Sequence, residues 1–76
     1  MALQVGMLWF DNAPDRPLSV KLSLAARHYE QKYGRPPNVC YLNLNTPGQE
    51  QADEAGLRLH AAADILPHHF WLGCAD

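Results

Sequence analysis

Apolar positions change their period along this chain, and the changes divide it into short strands and one strong helix. Leu3 to Phe10 is dense in large apolar side chains and predicts a first strand, with Met7 as an alternative start. The turn-forming segment Asp11-Asn12-Ala13-Pro14 closes it. Leu18, Leu22, Ala25, Ala26, Tyr29 and Tyr33 then recur at helical spacing and make one apolar stripe. The pattern predicts a helix from about Arg16 to Tyr33, with Asp15 as N-cap and Pro17 in the first turn, where a missing N–H costs little. Gly34 suits the left-handed position after the last turn, and Pro36-Pro37 forbid continuation.

Asn38 to Leu44 is apolar almost throughout, as in a strand covered on both faces. Strand, helix and strand in this order make a βαβ unit, so the first two strands should run parallel. Thr46-Pro47-Gly48-Gln49 has the spacing of a capping box and predicts a short helix ending near Ala55, with Gly56 as its C-terminal glycine. Leu57 to Ala61 alternates as a half-buried strand does, Ala62 to Pro67 reads as a loop or one helical turn, and His68 to Gly73 is a last, aromatic strand. The last two strands suit a hairpin with a long loop. The expected architecture is two-layer α/β in a single domain over residues 1–76. It has a small mixed sheet of three to four strands in βαβ(α)ββ order, with one main helix packed on one face.

That architecture leaves a mismatch. One helix covers one face of a sheet, yet these strands are apolar on both. Successive strand residues point to opposite faces, so Cys40, Leu42 and Leu44 oppose Val39 and Tyr41. Likewise Leu8 and Phe10 oppose Met7 and Trp9, and Phe70 and Leu72 oppose Trp71. With Leu42 and Phe10 turned to the helix, Trp9, Val39, Tyr41 and Trp71 form an uncovered apolar face. Exposed patches of this kind mark binding surfaces, and Trp and Tyr are enriched at interface centres. A chain of 76 residues has a thin core, and small domains often gain stability by associating. The leading expectation is a non-enzymatic protein–protein interaction module, a homodimer or an accessory subunit of a larger assembly.

Composition narrows the remaining classes. Hydrophobic residues make up 47% of the chain, too many for a disordered segment. No apolar run approaches the length of a membrane span, and the first residues do not form a secretory signal, so a cytoplasmic location without membrane contact is expected. Net charge is −2, and Arg16, Lys21, Arg27, Lys32, Arg35 and Arg58 are scattered, which argues against nucleic acid as a partner. Cys40 and Cys74 are expected to be reduced, Cys40 as a small buried hydrophobe.

Two groups carry an alternative, a small metal- or ligand-binding protein. His60, His68 and His69 are ligand types suited to zinc, although adjacent residues of a strand point apart and no metal-binding spacing is present, so no cofactor is expected. The carboxyl ends of parallel strands bind ligands in open α/β sheets, and here they carry Asp11, Asn12, Asn43 and Asn45. Those residue types also suit turns by bonding their own backbone. No nucleophile–base pair, phosphate-cradling loop or dinucleotide fingerprint is present, so catalysis is not expected.

Overall fold

The computed structural model describes residues 6–49 and 56–75. It contains β1 (Met7–Phe10), α1 (Leu18–Tyr33), β2 (Val39–Asn43), β3 (Arg58–Ala62) and β4 (His69–Gly73). The four strands form one mixed sheet in the order β1-β4-β2-β3, with α1 packed on one face. The expected two-layer α/β class is what the chain adopts. The part of the first strand placed before Gly6, and residues 50–55 of the expected second helix, lie outside the described residues. Among the described residues no helix is long and apolar enough to cross a membrane.

Helix α1 forms because its stripe has somewhere to go. Leu18, Leu22, Ala25 and Tyr29 are buried, and Leu22 and Ala25 are completely so. Burying a leucine of this kind contributes about 1.5–3 kcal/mol relative to leaving it exposed. At the C-terminal end Gly34 takes the left-handed conformation at φ 81°, and its N–H donates to the Glu30 carbonyl at 2.8 Å. The N-terminal end differs from expectation. The helix begins at Leu18, Pro17 stands at the N-cap position in extended conformation, and no side chain caps it. Arg16 precedes a proline and is therefore driven out of helical geometry, which leaves Asp15 too far from the first turn to cap it.

The sheet corrects a second expectation. β3 and β4 do not form a hairpin. β3 pairs parallel with β2, and β4 inserts between β1 and β2, antiparallel to both. β1 and β2 therefore run in the same direction, as a βαβ unit requires, but β4 separates them. The connection from β3 to β4 must pass over the end of β2. Asn43, the last residue of β2, marks that crossing by donating its side-chain amide to the Ile65 carbonyl at 2.8 Å. Turns occupy the stretch after β2. There the Gln49 side-chain amide donates to the carbonyls of Thr46 (2.8 Å) and Leu44 (3.2 Å), and the Thr46 N–H, which the Gln49 oxygen would accept in a capping box, donates to the Asn43 carbonyl at 3.1 Å.

The register assigns every strand residue to a face. Met7, Leu72, Cys40 and Leu59 share one cross-strand row, and Trp9, Phe70, Leu42 and Ala61 the next. These rows meet α1, and Cys40, Leu42, Phe70 and Leu72 are each at most 1% exposed. Two tyrosines fasten the far end of α1 to the sheet. Tyr33 donates to the Gly6 carbonyl at 3.3 Å, and Tyr29 donates to the Cys74 sulfur at 3.6 Å.

Both cysteines are free. Burial pushes the Cys40 thiol up from its ordinary value of 9.0 to about 12. Because the folded chain keeps this proton to higher pH than the unfolded chain does, Cys40 contributes a stability that is full below pH 9.0 and is lost as pH rises toward about 12. A thiol reagent at pH 8 should therefore modify Cys74 while Cys40 reacts only after unfolding, as peptide mass analysis of the labelled protein will read. A Cys40→Ala variant should show a shallower decline in stability across that alkaline window.

Candidate interaction face and cleft

Among the described residues, the rows that alternate with the core rows have no helix over them. Leu8, Trp71, Tyr41 and His60 lie side by side across all four strands, in the order β1, β4, β2, β3. Phe10 and His69 continue the same face one step along. Leu8 is 57% and Phe10 54% exposed, and Tyr41, His69 and Trp71 are half-buried. The rings pack on one another: His60 stacks on Tyr41 with centroids 5.1 Å apart, and His69 lies 4.9 Å from Phe10. The only formally charged strand residue on this face among those described is Arg58, at the β3 edge.

The Trp71 ring packs against Gly6, where the backbone carries no side chain to displace it. A Cβ placed on Gly6 would stand 2.7 Å from Cε2 and 2.8 Å from Cζ2 of that ring, and 2.9 Å from the Leu72 carbonyl oxygen. Gly6 is therefore required by a close approach.

Three of the four residues assigned to the uncovered face from sequence fall on that side of the sheet, and one does not. Tyr41 and Trp71 lie there as expected. Val39 is on the same side but only 1% exposed, so it offers nothing to a partner. Trp9 is on the opposite face: it pairs across from Phe70 and its ring lies 4.6 Å from that of His28 on α1. Phe10, expected toward the helix, is the residue that faces out. The phase of β1 is thus the reverse of the expected one. Met7 and Trp9 fill the gap beside α1, and Leu8 and Phe10 take the exposed positions. Leu8 and Phe10 are the surface residues that sequence reasoning missed.

The strand-end residues gather around a second feature. A cleft of about 950 Å³ opens where β1 and β2 end, walled by residues 12–19, Asn43, residues 45–48, Pro67, His68 and Phe70, with Lys21 reaching in from α1. Asn12, Asn43 and Asn45 line it. Asn43 is already committed to Ile65 and to the N–H of Asn45 at 2.8 Å, as the turn reading of these residues anticipates. Asp11 does not line the cleft but sits behind it. Its carboxylate, 6% exposed, accepts the Ala13 N–H at 3.1 Å and one Arg16 guanidinium N–H at 3.0 Å.

The three histidines do not come together. His60 is on β3 with Tyr41 between it and β4, His69 is beside Phe10 with its Nδ1 2.8 Å from the Pro67 carbonyl, and His68 lines the cleft at a positive φ of 65°. Among the described residues no group of three His, Cys, Asp or Glu side chains is placed to hold a metal ion. In comparison with known proteins, no protein-family model, no curated protein and no solved structure matches the chain.

The Gly6–Trp71 contact yields a direct test of this face. Gly6→Ala should lower stability by about 1–3 kcal/mol in urea unfolding, the ordinary cost of overpacking. It should also lift the Trp71 ring, seen as a changed indole resonance, while the Trp9 indole stays in place.

Proposed function

We propose that this domain is a self-association module in which a second copy of the chain packs on the open sheet face, with β1 at the seam. The observation that carries the reading is the continuous row Leu8–Trp71–Tyr41–His60, flanked by Phe10 and His69, on the side of the sheet away from α1.

Charge favours a second copy over an acidic or basic partner. The described strand residues of this face include no carboxylate and one edge arginine, so two such faces meet without like-charge crowding at their centres. Size favours the whole face over a spot on it. A stable interface buries about 800 Å² per partner, roughly a sixth of the 4985 Å² that this small molecule exposes. The edge favours β1 as the seam. Proteins guard outer strands with lysine, proline, bulges or inward charges, whereas Met7-Leu8-Trp9-Phe10 carries none of these and is an edge among the described strands. A second copy packed face to face would cover Leu8 and Phe10 of this strand, which are 57% and 54% exposed.

Light scattering on a sizing column reads the result. The wild-type chain should approach twice its 8.5 kDa mass as concentration rises. Leu8→Lys and Tyr41→Lys should each weaken association by at least about tenfold, the loss expected from a central anchor. Val20→Lys, at a position 41% exposed on α1, should leave it unchanged. A wild-type chain that stays monomeric throughout, or variants that associate normally, would overturn the proposal.

A further inference from the structure

The cleft at the strand ends is separate from the open face and has a chemistry of its own. Its volume of about 950 Å³ is that of a small-molecule site, and it sits where ligands bind in open α/β sheets, beyond the carboxyl ends of strands. One side is cationic. Arg16 is held at the rim by Asp11, whose side chain is 6% exposed and which bonds only one of its N–H groups, and the Arg16 side chain remains 43% exposed. A buried carboxylate thus fixes the direction of a half-exposed arginine and leaves its other donors unused among the described residues. Lys21, one helical turn into α1, lines the same cavity and forms no ion pair among the described residues. Between them opens the 16-residue α1 with no side-chain cap and no acidic residue in its first turn. The other side is apolar, with Phe70 at the floor and Pro47 and Pro67 on the walls. Asp15 also lines the cavity and Asp11 pairs with Arg16, so the two cations are matched by two carboxylates and the site suits an anion of low charge.

We infer that this cleft binds a small organic oxyanion, a carboxylate or phosphate ester attached to an apolar ring or chain. The anionic group lies between Arg16 and Lys21, where two cations and the positive end of α1 converge. The apolar body lies against Phe70 and the prolines. Ser19 and Thr46, whose residues line the cavity, add hydroxyl donors near the anionic end.

The test is titration of the ¹⁵N-labelled chain with three probes of one shape: phenyl phosphate, benzoate and the neutral benzyl alcohol. One or both anions should shift the amides of Leu18, Ser19 and Thr46 saturably, and benzyl alcohol should bind at least about tenfold more weakly. Response to phenyl phosphate alone assigns a phosphate ester, to benzoate alone a carboxylate, and to both the shared chemistry. Arg16→Gln and Lys21→Gln should each weaken the anion about tenfold. Lys21→Gln removes no described contact, so it keeps the test open should loss of the Asp11 partner unfold the first variant. No saturable shift with either anion, equal binding of benzyl alcohol, or unchanged affinity in a folded Lys21→Gln chain would overturn the inference. Because Leu8→Lys lies on the other surface, it should bind the probe normally.

Discussion

Insertion of β4 between β1 and β2 sets the phase of every other strand. Phe70 and Leu72 are its inward residues, and each pairs with an inward residue on both sides: Trp9 and Leu42 with the first, Met7 and Cys40 with the second. Trp71, the residue between them, is forced outward with Leu8 and Tyr41. Side chains alternate along a strand, so a slip of one residue in β4 would exchange the whole core set for the open set. The slip is blocked twice. Phe70 and Leu72 fit beneath α1 at no more than 1% exposure, and Trp71 lies against a glycine where any side chain would collide with it.

From that arrangement the division of the molecule follows. Among the described residues one helix, of 16 residues, covers one face of a four-stranded sheet, and its buried stripe of Leu18, Leu22, Ala25 and Tyr29 is taken up in doing so. The opposite face keeps its rings, which pack on one another and on histidines. At the ends of β1 and β2 the chain turns into α1 and into the segment leading toward β3, and these turns wall the cleft. The open face and the cleft therefore arise from one topology yet present different chemistry. The first is aromatic and nearly uncharged, and the second is apolar with a cationic rim.

What could be read from the chain alone was local. Helix α1 was legible because the spacing from Leu18 to Tyr33, the glycine at 34 and the prolines at 36 and 37 all act within a few residues. Its start was misplaced because Asp15 is a good capping residue type, while the restriction that Pro17 puts on Arg16 outweighs it. The strands were legible as apolar runs, but their neighbours were not. Leu57–Ala61 and His68–Gly73 look like a hairpin in sequence, and only the pairing of Cys40 with both Leu59 and Leu72 reveals β2 between them. The phase of β1 was undecidable by periodicity, since Met7, Leu8, Trp9 and Phe10 are all apolar. It is settled by distant partners, His28 beside Trp9 and His69 beside Phe10. The Asp11–Arg16 pair went unseen because its five-residue spacing fits no regular element, and a turn brings its ends together.

Self-association, as proposed, brings copies of the chain together through the open face of this sheet and through no other surface. A concentration series of ¹H–¹⁵N spectra tests it most directly, because it reports position as well as association. Association through this face should produce progressive shifts at Leu8, Phe10, Tyr41, His60, His69 and the Trp71 indole, with Trp9 and the exposed side of α1 unchanged. Spectra that do not change with concentration, or changes centred on α1, would contradict it.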